Sequence, residues 1–437
     1  MVSLRNRQKP AATAPRRILA ALVFGFVAAM TLAPAGWVLT RLGLTACLTC
    51  SDLSRLNAIQ NVLLFVPVGA VLQARVRRWR PAFVASALIS LSIELAQTRL
   101  ASRDPSAEDV ILNTLGAAVG IALVAGRRVW CDPAPAAARL LGLAWAAAVV
   151  IALWGTAWLA GPTSLHDRAI FSQWAPPRPL FDRFGGRVLG LWVNELDAPH
   201  GTLERPDPIR AAWGARPVRV RLAADLAGDN RSAQVLLARL IVVNGELVMF
   251  ARRGDAFMVR VALRGSDLGL RPPIYALEAP PDQVGPVELS VVVGRPGVQL
   301  SAATPQWHRT RDIAFDLGMG WVFLLPVEVV IGKWLPAASA AWLALLSLPM
   351  GFYLGASTDR ARSARHWAGS LSGVGVVAAA MALIPHVMAV TPTPLTLWAG
   401  ALGGGLLGWV TWFRVGRGRD GSRTGRDRRS LESRASA

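Results

Sequence analysis

Apolar residues form long blocks toward both ends of the chain and short alternating runs in the middle. Windows of about 17–25 residues, the length that crosses a hydrocarbon core, predict spans near 17–37, 57–74, 81–98, 109–126 and 139–160. Further spans are predicted near 315–333, 337–356, 367–388 and 394–413. No small-x-small cleavage site follows the first block, which therefore reads as a retained helix rather than a signal peptide. The expected fold class is a polytopic α-helical membrane protein of about eight or nine spans.

Polar residues interrupt three of these spans at helical spacing. The sets are Asn57, Asn61 and Phe65; Ser86, Ser90, Glu94 and Gln97; and Asp109, Asn113, Gly116 and Gly120. Steps of three and four place each set on one helix face. A carboxylate within an apolar span is costly to bury, so it faces a partner or a cavity.

The stretch 161–312 changes character, with short apolar runs, frequent Gly and Pro, and mixed charge. Runs at 187–196, 217–226, 234–243, 246–252, 256–264 and 287–294 alternate as strands do. Asn244-Gly245 is a hairpin signal, and Gly254-Asp255 marks another turn. Many short strands with regular turns predict an inserted all-β sandwich. The expected organisation is a basic cytoplasmic tail (1–16), an N-terminal membrane domain (17–160), the extracytoplasmic sandwich (161–312), a C-terminal membrane domain (313–413) and a basic, disordered tail (414–437).

Composition agrees with a membrane protein: 53% of the 437 residues are hydrophobic and the mean hydropathy is +0.39. The net charge of +20 is carried almost wholly by arginine, the lysines being Lys9 and Lys333. With the Ala, Gly and Pro content, this resembles the codon bias of a GC-rich genome. Much of the excess sits in the two tails, where it serves as a topology signal against anionic headgroups. No folded basic surface with interleaved aromatics is visible, so nucleic acid is not an expected partner.

The basic N-terminus predicts a cytoplasmic start, with Arg75–Arg80 and Gly126–Arg139 as the next cytoplasmic turns. Four spans over 315–413 would place the arginine-rich loop Asp359–Arg365 and the C-terminal tail outside, against the charge rule. Three or five would return the tail to the inside. Pro326, Glu328, Lys333, Pro336 and Pro349 mark 313–356 as the place where one segment fails to cross.

With a cytoplasmic start, Asn57, Asn61, Glu94, Gln97, Asp109 and Asn113 lie within about two turns of the outer surface. The loop 99–108 adds Arg99, Arg103, Asp104, Ser106 and Glu108. Three readings stay open. The cluster is a hydrogen-bonded clamp, with Arg103 neutralising Glu94 or Asp109 and Gly116-x-x-x-Gly120 allowing close helix approach. Or it is an outward pocket for a headgroup or lipid-linked glycan. Or it is catalytic, with Glu94 or Asp109 as general base and Arg103 steadying an oxyanion or phosphate. A transporter using the same carboxylates is a further class, although no inverted repeat is evident.

The ordered residues Asn61-x-x-x-Phe65-x-Pro67-x-Gly69, Ser90-x-x-x-Glu94-x-x-Gln97 and Arg103-x-x-Ser106-x-x-Asp109-x-x-x-Asn113-x-x-Gly116 resemble the VanZ-like family of bacterial membrane proteins over roughly residues 20–127. The resemblance implies a bacterial cytoplasmic-membrane protein connected with resistance to the glycopeptide teicoplanin. The outward-pocket reading makes membrane lipids and a lipid-linked glycan or cell-wall precursor the expected partners, and no cofactor is expected. The resemblance carries over no catalytic assignment; the candidate binding residues Asn61, Ser90, Glu94, Gln97, Arg103, Asp109 and Asn113, with Glu94 and Asp109 the catalytic candidates, come from the pocket and catalytic readings of the cluster. The sandwich between a VanZ-like unit and further spans resembles LamG-like, concanavalin-type inserts, which implies glycan binding; no calcium-ligand run accompanies it.

Cys47-Leu-Thr-Cys50 lies in the first outer loop, where an oxidising face favours a tight disulfide over a metal site. His166, His200, His308, His366 and His386 show no ligand spacing, so no metal is expected. Glu328 either completes the outer cluster or sits at the inner interface beside Lys333, and Gly403-Gly404-Gly405 favours tight packing of the last span.

Overall fold

The computed structural model describes residues 14–32, 55–100, 106–163, 165, 169–177, 181–214, 217–229, 234–242, 245–280, 284–294, 297–324, 330–332, 334–358 and 364–414. Among them, six helices are long and apolar enough to cross a membrane, and Arg17–Leu32 is a shorter apolar helix. The protein is a multi-pass membrane protein with a separate β-strand-rich region. The chain divides into two compact units, Met1–Asp132 and Pro133–Ala437.

The first unit holds α1 (Ala14–Leu32), α2 (Arg55–Val76), α3 (Trp79–Gln97), α4 (Ala107–Ala125) and the short α5 (Arg127–Cys131). Its apolar residues segregate in the manner of a membrane bundle. Phe65, Val68 and Ala117 are fully buried, packed with Val27 and Ile93, while Leu88 and Ile111 point outward, 58% and 66% exposed. A face of that kind is stable only against lipid or another protein. The α2–α4 crossing is made by glycine. A Cβ at Gly116 or Gly120 would meet the α2 carbonyls of Val62 and Val66, and one at Gly69 would meet that of Ala117.

The second unit begins with α6 (Pro135–Leu159), which opens on proline at its first position, where no amide hydrogen is missed. Sequence grouping put this helix with the N-terminal spans; its packing places it with α9 (Leu335–Thr358) and α10 (Ala364–Met388). A further helix, α11, runs over 395–414. It lies parallel to α9, because Gly400, Gly404 and Gly408 press against the carbonyls of Ala340, Ala344 and Leu348 in turn. Of the expected glycine run, Gly404 and the Gly405 backbone make this approach, whereas a Cβ at Gly403 would meet nothing within 4 Å.

Between α6 and α9 lie two sheets. Their strands are β1 (Ile170–Trp174), β2 (Arg187–Val193), β3 (Leu196–Asp197), β4 (Gly201–Thr202), β5 (Val218–Asp225), β6 (Gln234–Val242) and β7 (Gly245–Arg253). Then follow β8 (Ala256–Val261), β9 (Ile274–Glu278), β10 (Pro286–Val293), β11 (Gly297–Ala303), β12 (His308–Ala314) and β13 (Val330–Ile331). One sheet runs β13-β9-β8-β7-β6-β1-β4 and the other β12-β11-β10-β5-β2-β3, antiparallel except for β13 on β9. Short helices α7 (Asp207–Gly214) and α8 (Arg264–Asp267) fill two connections. Side chains of β12 tie the sheets together: Arg309 and Arg311 donate to the β9 carbonyls of Glu278 and Ala276 at 2.9 and 2.6 Å. Every predicted strand run forms a strand. Asn244 lies outside the described residues, and β6 pairs with β7 from Val242↔Gly245 outward. β1, β9, β11 and β12 were not anticipated.

The span expected near 315–333 requires correction, since its described residues form no crossing helix. Leu317–Phe323 is a 3-10 helix and Val330–Ile331 joins a sheet. Its hydropathy is spent on protein contacts: Leu317, Met319, Val322 and Phe323 are all buried, and the segment packs on α6 and α9. Hydropathy registers burial in protein and burial in lipid alike. Glu328 and Lys333 lie outside the described residues.

Asp316 caps this 3-10 helix, its carboxylate accepting from the Gly318 amide at 2.8 Å. Burial raises its pKa above the ordinary carboxylate value, with the Gly318 and Met319 amides pulling the other way. The folded state thus holds this proton to higher pH than the unfolded chain. Its contribution to stability is full below about pH 4 and is lost as pH rises through the elevated folded value. Asp316→Asn keeps a capping oxygen and is expected to remove that part of the pH dependence in thermal unfolding curves; an unchanged profile would refute the assignment. Tyr275 offers a second test. It is wholly buried, its hydroxyl has no hydrogen-bond partner, and burial drives its pKa far up. Removing an unsatisfied buried hydroxyl relieves a desolvation cost of about 1–3 kcal/mol, so Tyr275→Phe should raise the melting temperature rather than lower it.

Candidate functional site

In the first unit, α2, α3 and α4 bring their polar faces together. The Asn61 amide donates to Asp109 Oδ1 at 2.6 Å, joining the N-terminal parts of α2 and α4. The Asn113 amide donates to Ser90 Oγ at 3.1 Å, joining α4 to α3. Glu94 accepts the Ser106 amide at 3.0 Å, and Gln97 donates to the Thr31 carbonyl of α1 at 2.9 Å. Four helices are thus linked by side chains that the sequence pattern singles out.

Burial makes these links consequential. Ser90, Glu94, Gln97 and Asn113 are all buried, and Asn61 and Asp109 are partly so. In this setting a hydrogen bond cannot be exchanged for one to water, so each group holds its partner firmly. Among the described residues, Asn113 Oδ1 is buried and has no hydrogen-bond partner. Beneath the cluster Phe65 closes the apolar core, and Gly116 and Gly120 set how deeply α4 seats on α2.

Not every anticipated residue joins in. Ser86 bonds only to the Ala82 carbonyl of its own helix, at 2.9 Å. Arg103, Asp104, Cys47, Cys50 and the Asn57 side chain lie outside the described residues, so the Arg103 charge pairing and the disulfide do too. Ser106 is the residue that the sequence reading undervalued. It caps α4, its hydroxyl accepting the Glu108 amide at 3.1 Å while its own amide holds Glu94. The run Ser106-Ala-Glu-Asp109 carries the Ser-x-x-Asp signature of a helix start and could have flagged it. Among the described residues, no three His, Cys, Asp or Glu are grouped to hold a metal ion. Cys131 is exposed and not in a disulfide, and His200 accepts the Trp174 amide at 3.1 Å in the β region.

Chemically, the arrangement offers two carboxylates and three amides at one end of a three-helix face, each oriented by a neighbouring helix. Carboxylate and amide side chains are of the kind that pair with hydroxyl and amide groups. No curated protein and no solved structure matches the chain. Residues 6–129, which take in this cluster and all of α1 to α4, match the model of the VanZ/LLP1 family and are similar to that family over this part of the chain.

Proposed function

We propose that this is a VanZ-like protein of the bacterial cell envelope whose polar cluster engages the headgroup of a lipid or a lipid-linked glycan at the outer face of the cytoplasmic membrane. The observation that carries the reading is the buried Asn113 Oδ1, which has no hydrogen-bond partner among the described residues. An idle acceptor in an apolar setting costs about 1–3 kcal/mol, and a ligand hydroxyl or amide would recover it. Such a ligand is what an envelope precursor presents. The link to glycopeptide resistance belongs to this proposal as well.

Sidedness rests on charge. In the second unit α6 and α9 run antiparallel, with Trp145 Nε1 donating to the Leu346 carbonyl at 2.6 Å. Arg139 near the start of α6, the end of α9 at Thr358 and Arg414 at the end of α11 then fall at one end of the bundle. With no crossing helix among the described residues of 315–333, the charge conflict disappears if that end is cytoplasmic. The β region, bonded to the other end of α6 through Arg264 and the Trp158 carbonyl at 3.4 Å, then faces outward. We propose that its two sheets form a concanavalin-like sandwich assisting glycan binding.

The test is teicoplanin susceptibility in a deletion strain complemented at matched membrane levels. Wild type is expected to restore resistance, Glu94→Ala to fail, and Glu94→Gln, which keeps an acceptor for the Ser106 amide, to retain a substantial part. If Glu94→Gln fails as completely as Glu94→Ala while folding normally, general-base catalysis replaces binding as the reading. Unchanged susceptibility on deletion would end the resistance link.

A further inference from the structure

At the opposite end of α2 and α4 from the polar cluster lies a cavity of about 580 Å3. Its rim carries Arg75, Arg77, Arg127 and Arg128, all exposed. Its wall is apolar, formed by Leu19 of α1, Val71 of α2 and Val124 of α4. No carboxylate is among the lining residues.

The backbone is built to present these arginines. Arg77 sits just past α2 with φ of 59°, in the left-handed region that glycine normally takes at a helix end, and its amide closes on the Gln73 carbonyl at 2.9 Å. A non-glycine residue there is held at a cost of about 1–2 kcal/mol. At the end of α4, Gly126 closes on the Ala122 carbonyl at 2.8 Å. The chain then turns into α5, which carries Arg127 and Arg128. Neutralising helix dipoles does not need this many charges. Two C-termini present about half a negative charge each, against the guanidinium groups of Arg77, Arg127 and Arg128 alone.

A second feature points to a ligand. Gln73 lines the same cavity and is 8% exposed, yet its Oε1 has no hydrogen-bond partner. That oxygen is a buried acceptor open to a donor on a bound ligand.

We propose that this cavity is a specific site for an anionic glycerophospholipid with a hydroxyl-bearing headgroup. The phosphate accepts from the rim arginines, a headgroup hydroxyl donates to Gln73 Oε1, and the glycerol and upper acyl chain lie along Leu19, Val71 and Val124. The apolar wall selects a lipid over a soluble phosphate compound. Arginine suits the task because its planar donors pair with phosphate oxygens two at a time.

The full chain in detergent would be titrated with short-chain phosphatidylglycerol, phosphatidylcholine and glycerol 3-phosphate, with bound molecules counted by native mass spectrometry. One equivalent of phosphatidylglycerol is expected to be retained, and neither of the others at the same concentration. Each basic group near an anionic headgroup contributes about fivefold in affinity, so Arg77→Gln with Arg127→Gln should weaken retention about 25-fold. Arg78→Gln with Arg80→Gln is the matched control. Both residues are exposed in the same turn without lining the cavity, and Arg80 lies over the Trp79 ring. Gln73→Leu should abolish the preference for phosphatidylglycerol over phosphatidylmethanol, which lacks the hydroxyl. Equal weakening by the two arginine pairs would reduce the effect to general surface attraction and overturn the site. Retention of phosphatidylcholine to the same degree would do so too, and equally tight glycerol 3-phosphate would show that a soluble phosphate compound is bound instead.

Discussion

Gly116→Val should unfold the first unit's helix packing, by at least about 3 kcal/mol. Overpacking a core usually costs about 1–3 kcal/mol because a neighbouring side chain can yield. Here the added Cβ meets the Val62 carbonyl, a main-chain group of α2. Relief requires the two helices to separate, and separation breaks the Asn61–Asp109 bond across the same interface. The loss would exceed any gain in helix propensity from replacing glycine, which is about 1 kcal/mol at most. Gly25→Val in α1 is the control, since a Cβ there meets nothing within 4 Å. Unfolding in mild detergent should show a large shift for Gly116→Val and almost none for Gly25→Val. Equal shifts would mean that the crossing does not depend on close backbone approach.

The second large effect lies in the β region. Asp229 and Arg252 form an ion pair at 3.0 Å with side chains 0% and 5% exposed. Arg252 also donates to the Gly254 carbonyl at 3.0 Å, so its guanidinium is fixed in place. Asp229→Ala strands that guanidinium in a buried setting, a loss of about 3–5 kcal/mol. Replacing both partners by apolar residues of similar volume, Asp229→Leu with Arg252→Met, should recover most of it, because the desolvation cost of the charges disappears with them. By contrast, Arg210→Ala should cost less than about 1 kcal/mol, since its partner Asp207 is 84% exposed. If the double variant is as unstable as Asp229→Ala, the pair holds the turn through shape rather than charge.

How far the sequence reading reached depended on which physical signal carried each element. α2, α3, α4 and α6 are long apolar runs ended by arginine, proline or polar clusters, and hydropathy located each within a few residues. The strands β5 and β10 alternate buried and more exposed residues, while β2, β6, β7 and β8 are short, largely apolar runs, so period two and bounded apolar runs found them. β11 alternates as well, but with Ser and Ala on much of its length, and β12 reads His-Arg-Thr-Arg-Asp, with Ile313 its buried side chain. An edge strand buries little, and so leaves a weak pattern.

The polar cluster divides in the same way. That Asn61, Ser90, Glu94, Gln97, Asp109 and Asn113 share one level followed from helical spacing and alternating span direction. What each one touches did not follow, because two of the partners are backbone groups, the Ser106 amide and the Thr31 carbonyl. A backbone donor or acceptor has no residue type and leaves no trace in a sequence. The arginine-rimmed cavity was invisible for a related reason: Arg75 and Arg77 were legible as a topology signal, but their meeting with Arg127 and Arg128 depends on where α2 and α4 end in space.

By itself, then, the sequence determined the membrane-spanning character of the chain, the position of its strand-rich insert and the faces on which its polar residues lie. Each of these is a local property, set by periodicity over a few turns or a few strands. Only the tertiary structure decided that the apolar stretch 315–333 belongs partly to a sheet, that glycines at 116 and 120 carry the α2–α4 crossing, and that Asn113 and Gln73 each keep an oxygen with no hydrogen-bond partner among the described residues. Those outcomes turn on which surfaces compete for the same apolar or polar group, and that competition is settled by packing between segments far apart in the chain.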